Sequence, residues 1–223
     1  MNDENEKLTD KVLSQLKTDI LNGEFKPGEK LVLGTLKHRY GAGGSPLRES
    51  LSQLLAEGLV TTENQRGFRV SPVSIDQLRD IYEARAHLES MILGIAIDKG
   101  DDVWEAGIVA AAHRLFKYDN IRQLKEISIH EWEERHHDFH DSLVNGCASE
   151  ILLGLRKSLY EKAARYRNLW LKENISQIDA FDANLSEHQA LMKAVLARDK
   201  STAQSSIRDH ILVPVKIIEK TFL

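Results

Sequence analysis

Residues 45–70, "SPLRESLSQLLAEGLVTTENQRGFRV", decide the fold of the N-terminal part of the chain. Ser45 and Pro46 predict the start of a helix, because serine caps helices and proline tolerates the first helical position. Gly58 predicts the end of that helix. Two short strands around "ENQRG", with Gly67 at the turn, then predict a hairpin.

Two more helices precede this stretch. Apolar residues recur at helical spacing from Thr9, a plausible capping residue, until "NGEFKPGEKL" breaks the pattern. A short second helix ends at Gly41, and "AGGS" makes a tight connection to the third helix. Three helices of this kind form a helix-turn-helix, and with the hairpin they predict a winged helix over residues 1–75.

Composition is that of a cytoplasmic protein without a membrane segment. The N-terminus is acidic and polar, no apolar run approaches the roughly 18 residues of a membrane span, and the one cysteine, Cys147, excludes an intrachain disulfide. The net charge is −4, yet residues 11–75 hold nine basic and six acidic side chains. A modest basic balance therefore lies where DNA would bind.

A winged helix places the N-terminal end of its third helix in the major groove of DNA. We expect Arg48 to contribute most to binding, as the cation exposed at that end. The other candidates are exposed polar residues of the third helix, cations of the second helix that suit phosphates, and the wing tip. They are Ser45 and Glu49, Lys37 and Arg39, and Gln65 and Arg66. Because one winged helix reads a short half-site, we expect a homodimer on a palindromic operator.

Residues 76–223 show successive amphipathic helices and no hairpin signal, which predicts a helical bundle. A long helix capped by Ser74 places Arg85 and Glu89 on its apolar stripe. An arginine that faces a core needs an anionic partner. That partner is either Glu89, one turn away, or a carboxylate ligand held by the guanidinium fork.

A histidine-rich stretch, "RHHDFHDSL" at 135–143, lies within one of these helices. His136 and His140 are four residues apart and share one face, whereas His137 points to the side. Such a pair can grip one metal ion. Two later helices each place one histidine, His188 and His210, on an apolar face. Pro214 should kink or end the last helix just after His210.

The N-terminal and C-terminal parts of this chain each resemble a domain of a known protein family. Residues 44–70 resemble the winged helix of GntR-type bacterial repressors, although glycine stands at positions 34 and 44, where that family often carries arginine. Residues 77–90, 139–152 and 187–211 resemble, in order and spacing, the FCD effector domain that follows such a winged helix. The fold class implied is mainly α, a winged helix-turn-helix followed by an all-α FCD-like bundle.

The FCD resemblance implies a divalent metal held in the bundle core by an aspartate and three histidines, with a small carboxylate effector beside it. The matching ligands are His140, His188 and His210, and His136 stands at the aspartate position. Imidazole ligands favour zinc or nickel, and manganese is also compatible. Four neutral imidazoles leave the ion its full charge, which favours an anionic effector such as a dicarboxylate. The residues implied to line the effector cavity are Tyr166, Arg167 and Trp170.

The sequence therefore predicts a DNA-binding regulator, most simply a repressor, whose operator binding responds to a carboxylate. Two alternatives stay open. A regulator without metal could bind an organic acid through Arg85 and a histidine cluster. The second alternative is a metal-dependent hydrolase joined to a DNA-binding domain. The sequence lacks a His-Glu-x-x-His motif, which disfavours this alternative.

Overall fold

The computed structural model describes residues 2–62, 67–117, 129–173 and 184–222. It is mainly helical, with a small three-stranded sheet. The helices are α1 (Asn2–Leu21), α2 (Leu33–Tyr40), α3 (Gly44–Ala56), α4 (Ile75–Lys99), α5 (Asp102–Phe116), α6 (Ile129–Val144), α7 (Glu150–Glu173), α8 (Asn184–Leu196) and α9 (Lys200–Phe222). The strands are β1 (Lys30–Leu31), β2 (Val60–Thr62) and β3 (Phe68–Val70).

The chain divides into two compact units. The first comprises Met1–Leu78 and Glu161–Glu173, and the second comprises Arg79–Tyr160 and Asn174–Leu223. The first unit therefore takes in the C-terminal half of α7. No helix in the described part of the chain is long and apolar enough to cross a membrane.

The first unit is the predicted winged helix. Leu16 of α1 and Leu47 and Leu51 of α3 are fully buried in one core. Gly41 ends α2 in the left-handed conformation, with φ 61°, as its place in the sequence predicts. The predicted hairpin strands β2 and β3 pair antiparallel, and β1 adds to the other edge of β3 to give the order β1-β3-β2.

Two predicted helix starts are wrong. The first helix begins at Asn2 rather than at Thr9, whose hydroxyl donates to Glu49 instead of capping the helix. The third begins two residues early, with Gly43 as its capping residue. Pro46 then occupies the third helical position, which it tolerates because the first four N–H groups of a helix have no intrahelical partner.

The second unit packs helices around a separate set of apolar side chains. Its fully buried residues include Ile92, Leu93, Ile108 and Phe139. Ser74 caps α4 as predicted, since its hydroxyl accepts a hydrogen bond from the backbone N–H of Gln77 at 3.1 Å. Of the two effects predicted for Pro214, an end of the helix is wrong, because α9 continues through the proline to Phe222, and a kink stays a prediction.

Candidate functional site

The exposed face of α3 carries Arg48, the predicted recognition residue. Arg48, Ser45 and Ser52 are all exposed on this helix. The Arg48 guanidinium makes no hydrogen bond or ion pair with any residue that the structure describes, so it is available to a ligand. Glu49 is engaged within the unit, where its Oε2 accepts from the Thr9 hydroxyl at 3.4 Å.

The two predicted phosphate-binding cations of α2 differ in their surroundings. Lys37 is exposed, and its Cε lies 3.5 Å from the position that a Cβ on Gly44 would take. Arg39 pairs with Asp19 at 2.8 Å and lies over the ring of Phe25 at 4.9 Å. Lys37 is therefore more available to a phosphate than Arg39, whose charge is paired with Asp19. The other two candidates of the first unit, Gln65 and Arg66, fall outside the described residues.

Four histidines converge in the second unit from three helices. His136 and His140 come from α6, His188 from α8 and His210 from α9. Their ligand atoms all lie within 4.8 Å of one another. His140 and His188 are 2% exposed and His210 is 9% exposed, so the cluster is largely closed to water.

The contacts within the cluster join Nε2 atoms only. His188 Nε2 lies 3.1 Å from His136 Nε2 and 3.2 Å from His140 Nε2, and His140 Nε2 lies 3.2 Å from His210 Nε2. Each contact between neutral rings needs one N–H and one lone pair, and one N–H serves one contact. At most two of the three contacts can therefore be hydrogen bonds at once. A cation shared by the four lone pairs would satisfy them all.

Glu187 fixes the tautomer of one ring. Its Oε2 lies 3.0 Å from Nδ1 of His210, and an ionised carboxylate can only accept, so the proton of His210 is on Nδ1. The lone pair of His210 Nε2 then faces the cluster. The hydrogen bond to His210 lowers the pKa of Glu187, which keeps this partner ionised. A carboxylate behind a metal-binding histidine is the usual outer partner of such a ligand.

Two of the buried rings, His188 and His140, are held neutral. Burial is the largest of the causes that lower the pKa of His188 to about 2. Burial also lowers the pKa of His140 well below its usual value, with further contributions from His136, His210 and His188. A cluster that resists protonation keeps its lone pairs for a metal ion. The Nδ1 of His140 is buried and has no hydrogen-bond partner within the described residues.

The spacing of the cluster fits a metal ion. Imidazole nitrogens bind such ions at about 2.0–2.1 Å, which puts neighbouring nitrogens about 3.0 Å apart in an octahedral set and about 3.4 Å apart in a tetrahedral one. The three contacts of 3.1–3.2 Å fall between these values. His137 lies outside the cluster, where it contacts the ring of Tyr160 with centroids 4.3 Å apart.

A buried ion network lies in the same unit. The Nε of Arg85 donates to Oε1 of the fully buried Glu89 at 2.6 Å, and Glu89 Oε2 also lies 3.1 Å from the Nε of Arg156. Arg156 in turn donates to Asp141, the residue after His140. Glu89 is the structural partner that the sequence offered for Arg85. Arg156 was missed, because one arginine on a polar helix gives no signal.

Arg85 keeps part of its hydrogen-bonding capacity. Only its Nε makes a hydrogen bond among the described residues, so its two terminal nitrogens remain available. Its charge contributes to the low pKa of His140, which places Arg85 within electrostatic range of the histidine cluster. The structure thus brings Arg85 and the four histidines into one unit.

The other predicted effector residues belong to the first unit. Tyr166, Arg167 and Trp170 are buried on the C-terminal half of α7. The Tyr166 hydroxyl accepts from the backbone N–H of Ser74 at 3.3 Å and donates to Gln77 Oε1 at 2.7 Å. Their role in effector binding stays a prediction.

A winged helix whose recognition helix carries an arginine without a partner among the described residues, joined to a helical unit with a four-histidine cluster, is typical of a two-part DNA-binding regulator. Comparison with known proteins gives the family. Residues 8–70 match bacterial regulatory proteins of the gntR family, and residues 80–212 match the FCD domain. The chain belongs to the GntR family of transcriptional regulators, in the branch that carries an FCD domain.

The relatives agree in class. The chain is 44% identical to the HTH-type transcriptional repressor GlaR of Escherichia coli K12, over 92% of this chain and 93% of that protein. It is 33% identical to the HTH-type transcriptional regulator BphR of Paraburkholderia xenovorans, over 96% of this chain and 86% of that protein. The solved structure of McbR/YncC from E. coli shares the fold, with a TM-score of 0.77, 21% identity, and coverage of 97% and 99%. The protein is a DNA-binding transcriptional regulator, and the curated relatives named above are regulators rather than enzymes.

Proposed function

We propose that this protein is a cytoplasmic, homodimeric repressor whose FCD domain binds a divalent metal and a small carboxylate, and whose affinity for a palindromic operator changes when the carboxylate binds. The similarity to GlaR, a repressor by name, supports the direction of regulation. Residues 1–75 would bind DNA, and residues 76–223 would bind the metal and the effector and form the dimer.

The observation that carries the proposal is the convergence of four Nε2 atoms in a buried site. The ligands would be His136, His140, His188 and His210, and zinc is the first choice, with nickel or manganese as alternatives. When bound, the ion supplies a positive charge that attracts a carboxylate. The four neutral imidazoles leave that charge undiminished.

Arg85 would hold the carboxylate effector. Its Nε is fixed by Glu89, so the guanidinium is oriented before a ligand arrives and loses little freedom on binding. Its remaining N–H groups can form charge-assisted hydrogen bonds to a carboxylate oxygen. A dicarboxylate would use one end for the metal and the other for a cation. Binding of the carboxylate is expected to change the free energy of operator binding by about 1–3 kcal/mol.

The DNA contacts follow from the exposed polar face of α3 and its surroundings. Arg48 would read a base edge in the major groove, with Ser45 and Glu49 beside it, and Lys37 and Arg39 would contact phosphates. Gln65 and Arg66 keep their predicted role at the wing. Two copies related by a twofold axis would bind the two halves of the operator.

The proposal is tested by the metal content of purified protein. Elemental analysis is expected to give about one divalent ion per chain for the wild type, and a loss of most of it in His140→Ala, because this ring lies at the centre of the contacts. The matched control is His137→Ala, which removes a histidine of the same helix that lies outside the cluster.

His137→Ala should keep the wild-type metal content. Wild-type protein that holds no divalent ion, even after incubation with zinc, nickel or manganese, would contradict the metal site. Binding of a carboxylate by such metal-free protein would then favour a regulator that senses organic acids through Arg85 and the histidine cluster.

A further inference from the structure

A groove of about 480 Å³ runs between the recognition helix and the base of the wing in the first unit. Arg48 and Ser52 of α3 form one wall, and Gly67 and Phe68 form the other. Lys30 lies on β1 at the wing side, where its Cε is 3.9 Å from the position that a Cβ on Gly67 would take. None of the described residues that line the groove is acidic.

Two cations of this groove are exposed and unengaged. The side chains of Lys30 and Arg48 make no hydrogen bond or ion pair with any residue that the structure describes. Two cations of the unit outside the groove are engaged in ion pairs: Lys17 pairs with Glu57 at 2.9 Å, and Arg39 pairs with Asp19 at 2.8 Å. Among the residues that the structure describes, the groove therefore presents two free positive charges without a compensating carboxylate.

The geometry of DNA decides what such a groove would face. The major and minor grooves of a duplex are separated by a sugar–phosphate strand. A winged helix that inserts α3 in the major groove and directs its wing to the neighbouring minor groove has that strand between the two elements. The β1 side of this groove, where Lys30 lies, would then face the strand, while Arg48 on α3 stays on the side of the major groove.

We propose that this groove seats one sugar–phosphate strand of the bound DNA, and that Lys30 is a phosphate contact that does not depend on base sequence. Its charge is located between the two DNA-reading elements, where a phosphate would pass. The apolar side chain of Val32, which is 50% exposed on the groove wall, gives the deoxyribose a surface to pack against. This contact would fix the register of α3 in the major groove.

The test measures the salt dependence of binding to DNA of mixed sequence. Fluorescence anisotropy with a 30-bp random-sequence duplex gives the dissociation constant at several salt concentrations. Loss of one phosphate contact lowers the slope of log K against log salt by about 0.9, which is a weakening of roughly eightfold at 0.1 M salt per bound chain. Lys30→Gln is expected to show this change, and Lys30→Arg to keep the wild-type slope.

Lys26→Gln is the matched control, because it removes an exposed lysine of the same unit that does not line the groove. It should leave the slope unchanged. Equal slopes for Lys30→Gln, Lys26→Gln and the wild type, in variants with wild-type thermal unfolding, would overturn the assignment. If Lys30→Arg lowered the salt slope as much as Lys30→Gln, the assignment would also be overturned, because a phosphate contact depends on the charge that arginine keeps.

Discussion

At His210, one hydrogen bond sets the state of the whole cluster. Glu187 holds the proton on Nδ1, so the Nε2 lone pair of His210 is available to a metal. We predict that Glu187→Gln lowers metal affinity by about 10–100-fold, because the amide no longer supplies a charge behind the ring. A competition titration with a coloured chelator measures this.

Glu150→Gln serves as the control for that titration, because Glu150 is an exposed glutamate of the same unit. It should bind metal like the wild type. If Glu187→Gln also bound metal with wild-type affinity, Glu187 could not be what sets the tautomer of His210.

Arg48 is the residue whose loss should affect DNA reading most. It is exposed and unengaged on α3, and a bidentate contact to a base is worth about 1–3 kcal/mol. We predict that Arg48→Ala weakens the free energy of operator binding by about 1–3 kcal/mol. The ratio of the affinity for the operator to the affinity for a random duplex should fall, while metal binding is unchanged. Gel-shift titrations on both DNAs give the ratio, and Gln53→Ala, an exposed change on the same helix, should preserve it.

At the residue scale, the sequence predicted only part of the histidine site. The i, i+4 spacing of His136 and His140 placed them on one face by helical geometry alone. That His188 and His210 join them depended on a family resemblance, because spacing within one helix does not tell which helices pack together. Glu187 was missed although it precedes His188, since its partner lies on the following helix.

Helix α4 contains an ion pair whose energy depends on burial. Burial alone would raise the pKa of Glu89, but the charges of Arg85 and Arg156 outweigh it and hold the pKa below its usual value. A depressed pKa in the folded state contributes stability above the unfolded value of about 4.3. That contribution is lost as the pH falls through the folded pKa.

We therefore predict that Glu89→Gln destabilises the protein near neutral pH, by about 3–5 kcal/mol, because the buried guanidinium of Arg85 loses its anion and that of Arg156 loses one of two. The difference from the wild type should shrink as the pH falls below about 4, where Glu89 is protonated in the unfolded wild-type chain. Chemical denaturation across pH measures both effects.

The matched control is Glu131→Gln, which breaks an i, i+4 pair of the same type between Glu131 and Arg135 at 2.8 Å. That pair is partly exposed, so the expected loss is about 0.3–0.5 kcal/mol. Equal losses in the two variants would mean that the Glu89 network contributes no more than a surface pair.

At the element scale, strong periodic signals were predictive, whereas the two-residue strand β1 and the starts of α1 and α3 were not. The α3 helix and the β2–β3 hairpin followed from apolar spacing and glycine positions. Strand β1 was missed, because two residues, Lys30 and Leu31, are too few to show alternation. The predicted start of α1 was wrong because a threonine can either cap a helix or make a side-chain contact within one. In the structure the Thr9 hydroxyl donates to Glu49 of α3, a contact that the local sequence does not indicate.

The whole molecule joins two units through helices that continue across the division. The C-terminal half of α7 belongs to the DNA-binding unit, where Asn168 donates to the backbone carbonyl of Leu21 at 3.2 Å and Arg165 donates to that of Ser71. The N-terminal half carries Arg156 beside Glu89 and Asp141. Helix α7 therefore contributes residues to both units.

The most direct test of the account is a thermal-shift screen of mono- and dicarboxylates of two to six carbons, with and without a chelator. A ligand at about 100 times its dissociation constant stabilises the folded state by about 2.7 kcal/mol. We predict that at least one carboxylate raises the melting temperature of the metal-loaded wild type, and that the rise disappears with chelator and in His140→Ala but persists in His137→Ala. A carboxylate that stabilises chelated protein as much as metal-loaded protein would contradict a metal-dependent effector site.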